Sequence, residues 1–478
     1  MYLGLDLGTS SVKALLISAD QEVIAEARAP LSVARPHPGW SEQAPADWLA
    51  ATTDAMAALG GKADLKAVKA IGLSGHMHGA TLIDKAGDVL RPCILWNDTR
   101  SHAEAAALDA DPQFRAISGN IVFPGFTAPK LAWVKEHEPE IFNKTALILL
   151  PKDYLRLWLT GEAVSEMSDA AGTAWLDVAA RDWSDDLLAA TGLGRENMPS
   201  LVEGSAISGG LRAHLAEKWG MTPGIPVAGG GGDNAATAVG CGVTRPGEAF
   251  VSLGTSGVLF AATPSYAPDA ASAVHTFCHA LPDTWHQMGV ILSAADSLEW
   301  YARLTGQTAA NLTGALDKIE APGRACFLPY LGGERTPHND AKIRGALIGL
   351  EHETDTVAGT RAVLEGVAFA LKDSADALGQ TGTKIDSLIA VGGGAASHVW
   401  LEIMATTLGQ PIQIPVSGDF GAAFGAARLG MMAATGDTSI ATPPKIAATI
   451  DPNTTLQAAF SEAHHRYTQT YAALKNLS

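Results

Sequence analysis

The chain has 478 residues, 47% of them hydrophobic, enough to fill the cores of more than one domain. Its 33 lysines and arginines are outnumbered by 50 aspartates and glutamates, a net charge of −17 with no basic run, which argues against a nucleic-acid or anionic-membrane surface. Four scattered cysteines form no CxxC pair, no apolar stretch reaches the roughly 18 residues of a membrane span, and Asp6 interrupts the opening where a leader would be apolar, so a cytoplasmic protein with reduced thiols is expected.

Residues 2–5 alternate into Asp6-Leu-Gly-Thr-Ser-Ser and 12–17 form a second strand-like run, so the chain opens as a β-hairpin. Its tip offers backbone N–H groups, the hydroxyls of Thr9, Ser10 and Ser11, and Lys13, all suited to phosphate. Asp6 is not, and a carboxylate beside a phosphate cradle makes sense mainly with Mg²⁺ between them. From this stretch alone an ordinary hairpin with a polar turn is the simpler reading. The hairpin continues through 22–28, and 45–59 reads as a helix with Trp48, Ala51, Ala55 and Leu59 on one side. A strand at 68–73 ends in Gly75-His76-Met77-His78-Gly79, where the histidines could contact a small ligand or simply pack against the sheet. A metal is the weaker option, because no third ligand cluster is nearby. A strand at 90–96 ends in Asn97-Asp98-Thr99-Arg100 before a helix at 102–108, 125–137 is a loop entering a helix, and 145–150 is a strand entering another. Polar residues thus recur at strand ends, where open α/β sheets hold ligands.

Residues 225–257 join two halves. Four glycines at 229–232 precede Asp233 and Asn234, and the tetrapeptide of Leu7–Ser10 returns at Leu253–Ser256, an offset of 253 − 7 = 246 residues in matching strand context. That repetition implies duplication into two facing domains. Beyond it come a helix at 293–304 and a strand at 326–329, then a loop at 330–338 whose Arg335 and His338 are either structural or near a ligand. A long helix at 356–378 precedes a strand at 387–391 that runs into Gly392-Gly393-Gly394-Ala395 and a further helix. The pattern then gives a small-residue helix at 421–434, an irregular stretch at 438–453, and an amphipathic helix at 454–477 with His464 and His465 facing solvent. Gly230-x-Gly232-x-x-Ala235 meets the dinucleotide fingerprint only weakly, and no Walker-type loop occurs. What remains is a nucleotide site built from two hairpins and the turn at 392–394.

These motifs resemble the FGGY carbohydrate kinases, within the superfamily of sugar kinases, actin and heat-shock chaperone ATPases. The hairpins at 6–13 and 253–257 are similar to the family's phosphate motifs and 389–396 to its adenosine motif; 125–137, and 345–350 with 362–366, are similar to its two signatures. The resemblance implies an α/β fold of two duplicated ribonuclease-H-like domains, each a mixed sheet flanked by helices, with a cleft between residues 1–243, which bind sugar, and 244–478, which bind ATP. It is greatest, around 75–79, 96–100 and 150–154, to members that phosphorylate the ketopentose D-xylulose, although those usually have Gln at His76 and one glycine fewer before Asp233. It implies sugar contacts from Met77, His78, Asp233 and Asn234, with Asp233 as general base. ATP phosphates would meet Gly8, Thr9, Ser10, Lys13, Gly254, Thr255 and Ser256, adenine would lie on Gly393, Gly394 and Ala395, and Asp6 would act on Mg²⁺ through water. A homodimer is compatible with it. The rival expectations are a family member for another ketose or polyol, or a sugar-independent chaperone-like or filament ATPase.

Overall fold

The computed structural model describes residues 1–416 and 420–477. Two seven-stranded mixed sheets dominate it. In the first, Tyr2–Leu7 pairs antiparallel with Ser11–Ile17, which pairs antiparallel with Val23–Pro30. On its other side Tyr2–Leu7 runs parallel to Ala70–Gly75, followed by parallel Pro226–Ala228 and antiparallel Ile207–Gly210. The second sheet repeats the order and the strand senses. Glu248–Leu253 lies between antiparallel Gly257–Thr263 and parallel Ser387–Val391, with Trp285–Ile291 beyond the former, and Ile412–Pro415 and antiparallel Ile446–Ile450 beyond the latter. The duplication expected from the repeated tetrapeptide, and the ribonuclease-H-like plan implied by the family resemblance, are therefore present. The copies differ at the tip: Leu7 faces Val12 across four residues, whereas Leu253 faces Gly257 across three.

The central strands are buried on both faces, so they read as near-continuous apolar runs rather than alternating ones. Two helices cross between the halves. Asp233–Cys241 follows the first sheet, yet Ala238 and Cys241 pack with Phe250 and Phe260 of the second. Ala422–Thr435 comes late in the chain, yet lies on the first sheet, where Ala423 and Ala427 pack with Tyr2, Leu15 and Ile17. Glycines permit the approach: a Cβ at Gly4, Gly72 or Gly425 would overlap a facing carbonyl oxygen. The last helix, Gln457–Leu474, packs on its own half, with Phe460, Ala463 and Tyr467 in the core beside Trp400 and Phe369.

Three local expectations are corrected. Within the stretch expected to be irregular, Ile446–Ile450 forms an edge strand; four of its five residues are exposed, so no alternation marked it. Of the strand expected at 90–96, only Cys93–Ile94 pairs, with Glu42–Gln43. His464 does not face solvent freely, because its Nε2 lies 2.7 Å from Asp373 Oδ1, while His465 is exposed.

Candidate active site

Gly229–Gly232 is not the supple approach to Asp233 that a glycine run suggests. Gly230 has φ +79° and a Cβ on it would overlap the Leu73 carbonyl oxygen, Gly231 and Gly232 pair with Ser74 and Gly75, and a Cβ on Gly232 would come 2.9 Å from Met77 Sδ. The run is tightly packed backbone. It delivers Asp233 to the first turn of Asp233–Cys241, beside Met77. Asp233 Oδ1 accepts the Asn234 N–H at 2.7 Å and its side-chain Nδ2 at 3.0 Å. Burial nonetheless pushes the Asp233 carboxyl up to about 6, against those hydrogen bonds. Asp6, the penultimate residue of the first central strand, is raised to about 6 by burial and by the charge of Asp233, which brings the two carboxylates into one electrostatic site.

His78 has a left-handed backbone, φ +68°, uncommon for a side chain of its size. Three contacts impose it: Lys130 Nζ and Thr127 Oγ1 donate to its carbonyl at 2.7 and 3.2 Å, and its own Nδ1 donates to the Gly172 carbonyl at 2.7 Å. Nδ1 therefore carries the ring proton and Nε2 is an acceptor. The imidazole stacks on Phe126 at 4.8 Å, and burial with the nearby Lys130 charge lowers its pKa to about 3, so it stays neutral. Burial in turn lowers Lys130 to about 7. Met77 is buried beside it. His76 turns the other way, edge-on to Trp48 at 5.8 Å, with neither ring nitrogen hydrogen-bonded among the described residues.

At the first tip, Gly8 N–H binds the Ser11 carbonyl at 3.0 Å, and Thr9 is held by Gln43 on its carbonyl and Trp96 on its hydroxyl. Lys13 lies opposite Asp6 across the hairpin, and its Nζ pairs with Glu26 at 2.8 Å. At the second tip, the Gly254 and Thr255 carbonyls accept from Ala295 and Ala294 at the start of helix Ala295–Thr305. That tip borders a cavity of about 770 Å³, the size of a ligand pocket, lined by Leu298, Glu299, Thr313, Gly393, Gly394 and Trp400. Gly392, with φ +89°, and Gly394 are required by Leu253, which a Cβ would crowd. Gly393 has open space around it, so packing does not account for its bare backbone.

Sequence reasoning missed what lies under the glycine run. Lys152, Asp153, Arg156, Glu166 and Asp169 are fully buried together, with Lys152 Nζ 2.7 Å from Asp153, 3.4 Å from Asp169 and 3.6 Å from Glu166. Arg156 donates to the Gly229 carbonyl; Glu166 accepts from Ser168, whose Oγ accepts the Gly232 N–H at 3.1 Å. The cluster thus grips both ends of the glycine run. Only the polar end of the 145–150 strand, Lys152-Asp153, hinted at it.

Comparison with known proteins joins these parts. The model of the FGGY family of carbohydrate kinases, N-terminal domain, matches residues 1–240, and that of the C-terminal domain matches residues 249–434. The chain is 52% identical to the xylulose kinase of Escherichia coli K12 over 92% of this chain and 91% of that one. The crystal structure of a xyloylose kinase from Brucella ovis superposes with a TM-score of 0.98 at 61% identity, covering 100% of both chains. That of the xylulose kinase from Rhodospirillum rubrum superposes with a TM-score of 0.93 at 29% identity, covering 100% of this chain and 99% of that one. Two sheets of one plan, a repeated hairpin and a sugar-kinase likeness along both halves have one common explanation: the chain belongs to the FGGY family of carbohydrate kinases.

Proposed function

We propose that the protein transfers the γ-phosphoryl group of ATP to the terminal hydroxyl of D-xylulose, giving D-xylulose 5-phosphate and ADP. The observation that carries this reading is the meeting of Met77–His78 with Asp233–Asn234 through Gly232, in electrostatic contact with Asp6 at the root of the first hairpin. The kinases named above supply the sugar; the geometry supplies the chemistry.

In this reading Met77, the neutral His78 and Asn234 hold the ketopentose and Asp233 takes the proton of O5 as the O5–Pγ bond forms and the bond from Pγ to the leaving ADP oxygen breaks. An ordinary aspartate, near 3.9, is a feeble base; one raised to about 6 is a better base, still largely ionised at pH 7. Asn234 occupies Oδ1, which leaves Oδ2 for the hydroxyl. The phosphates would lie between Gly8–Ser10 and Gly254–Ser256 with Lys13 alongside, and adenosine over Gly393, Gly394 and Ala395 in the 770 Å³ cavity. Asp6 fits a magnesium role, since two carboxylates raised together beside hydroxyl-rich backbone form a site whose charge a divalent cation would balance. Mg²⁺ held there through water would neutralise charge on the transferring phosphoryl group.

ADP release by the purified protein, measured with ATP and Mg²⁺ over ketopentoses, ketohexoses, polyols and glycerol, tests the reading. D-xylulose is expected to give the highest kcat/KM. ADP release indifferent to every sugar would instead favour a chaperone-like ATPase.

A further inference from the structure

Arg335 reaches the sugar side of the cleft from the opposite half. Its loop is pinned to the second sheet on both flanks: Glu334 Oε1 accepts the Arg335 and Leu292 N–H groups at 2.7 and 2.9 Å, and Thr336 exchanges hydrogen bonds with Val290 at 3.0 and 3.1 Å. The guanidinium lies 4.6 Å over the ring of Phe123, a residue of the first half, and its Nη1 is 3.3 Å from His275 Nε2. Arginine only donates, so that nitrogen of His275 accepts and the imidazole is neutral. His275 in turn tilts against Phe126, on whose ring His78 stacks. Among the described residues no carboxylate lies within ion-pairing distance of this guanidinium, and Arg335 keeps partial exposure.

A count of donors and acceptors shows what such a group would bind. His78 Nε2 and the Asp233 carboxylate accept, so they take sugar hydroxyls as donors. Lys130 is committed to the carbonyls of His78 and Gly125, and the Asn234 amide gives one of its two N–H groups to Asp233 and keeps one, uncharged, for the sugar. Arg335 brings a charged fork whose Nη1 meets His275 and whose other N–H groups have no hydrogen-bond partner among the described residues, and the group on an open-chain ketose that can only accept is its C2 carbonyl oxygen. We propose that Arg335 is a specificity-determining residue that donates to this carbonyl and so separates ketoses from polyols of the same length. The proposal rests on the reading of the site as a ketose kinase.

The test compares wild type, Arg335→Met, which keeps the stem without donors, and Arg335→Lys, which keeps a charged donor. Each is assayed for kcat/KM on D-xylulose and on the pentitol in which the carbonyl is reduced, and for the KM of ATP. A charge-assisted hydrogen bond corresponds to about 10- to 100-fold. Arg335→Met should therefore lose that factor on the ketose through KM, change little on the pentitol and leave the ATP KM alone, while Arg335→Lys recovers part of the loss. An unchanged ketose-to-pentitol ratio overturns the proposal, as does a raised ATP KM with ketose unaffected, which would assign Arg335 to phosphate. A wild-type protein inert toward D-xylulose refutes the kinase reading instead. In that case the melting-temperature shifts produced by ketose and by pentitol, with and without Arg335, still decide whether the guanidinium reads a carbonyl. Equal shifts in wild type and variants would overturn it.

Discussion

Asp233 begins a helix, accepts two hydrogen bonds from its neighbour and is still raised to about 6, so burial outweighs both stabilising contacts. Protonation disables a base, so kcat/KM should fall as pH drops through about 6 and stay level above it; a profile flat down to pH 4.5 would remove Asp233 from the role. Asp233→Asn should lower kcat by about 10²–10⁴-fold or more with sugar affinity little changed. The stability consequence has the opposite sign. The folded state holds the Asp233 proton more tightly than the unfolded chain does, so between about pH 4 and 6 stability is lost as pH rises. Asp233→Asn should therefore be the more stable protein at pH 7, by about 1–2 kcal/mol after allowance for its partial exposure to the cleft, with no gain below pH 4. Thermal melts at both pH values check this. Lys130 acts at one remove. Its ammonium holds the His78 and Gly125 carbonyls; Lys130→Met would leave the Gly125 carbonyl without that donor, at about 1–3 kcal/mol, while the His78 carbonyl would keep only Thr127 Oγ1. Because the same bond imposes the left-handed backbone at His78, we expect the sugar KM to rise about tenfold or more while the ATP KM holds. Equal effects on both substrates would make Lys130 merely a core residue.

At the scale of elements, the strand–turn–helix at 387–408 offers an internal control. A methyl on Gly394 would meet Leu253 Cβ at 2.8 Å and Trp400 at 3.1 Å, whereas one on Gly393 meets nothing within 4 Å. Gly394→Ala should lower the melting temperature, and Gly393→Ala should leave it unchanged while raising the ATP KM; a normal ATP KM in Gly393→Ala would mean that no nucleotide lies against that backbone. The hairpins and this turn were legible in the sequence because their chemistry is local: a repeated tetrapeptide and a glycine run need no distant partner to be recognised. Asp6 stood out as a carboxylate inside an apolar run, whereas the roles expected of Met77, His78, Asp233 and Asn234 came from the family resemblance of the motifs that hold them. What escaped depends on long-range pairing. The strand Ile446–Ile450 is defined by its neighbour Ile412–Pro415 and not by its own exposed side chains. Lys130 gains its meaning from a carbonyl 52 residues away, and the pairing of Lys152 with Asp169 joins residues from separate elements. The glycines at 229–232 were visible, but their rigidity was not, since the contacts with Leu73 and Met77 come from another strand and its loop.

At the scale of the molecule, the two crossing helices make the halves interdependent. The first sheet is covered by Ala422–Thr435, nearly two hundred residues beyond that sheet's last strand, so chain order and packing do not divide the protein in the same place. That helix also lies against Asp233–Cys241, where a Cβ on Gly425 would penetrate the carbonyl of Ala236, one turn after Asp233. The contact is backbone to backbone, and no rotamer change relieves it. Gly425→Ala must then push the helices apart, which costs about 1–3 kcal/mol as overpacking and carries the first turn of the Asp233 helix with it. A displacement near 1 Å at a reacting group is enough for about 10²-fold in rate, so this variant should lose both melting temperature and kcat although it touches neither substrate. Gly379→Ala is the matched control: it lies in the long helix Thr356–Gln380 with nothing within 4 Å, and alanine there should be neutral or stabilising by up to about 1 kcal/mol. If Gly425→Ala melts lower but turns over normally, the crossing carries stability alone. If both fall together, the seam that joins the halves also sets the position of the base, and sugar-driven closure about it, seen as a smaller radius of gyration with D-xylulose in wild type, should be lost in Gly425→Ala.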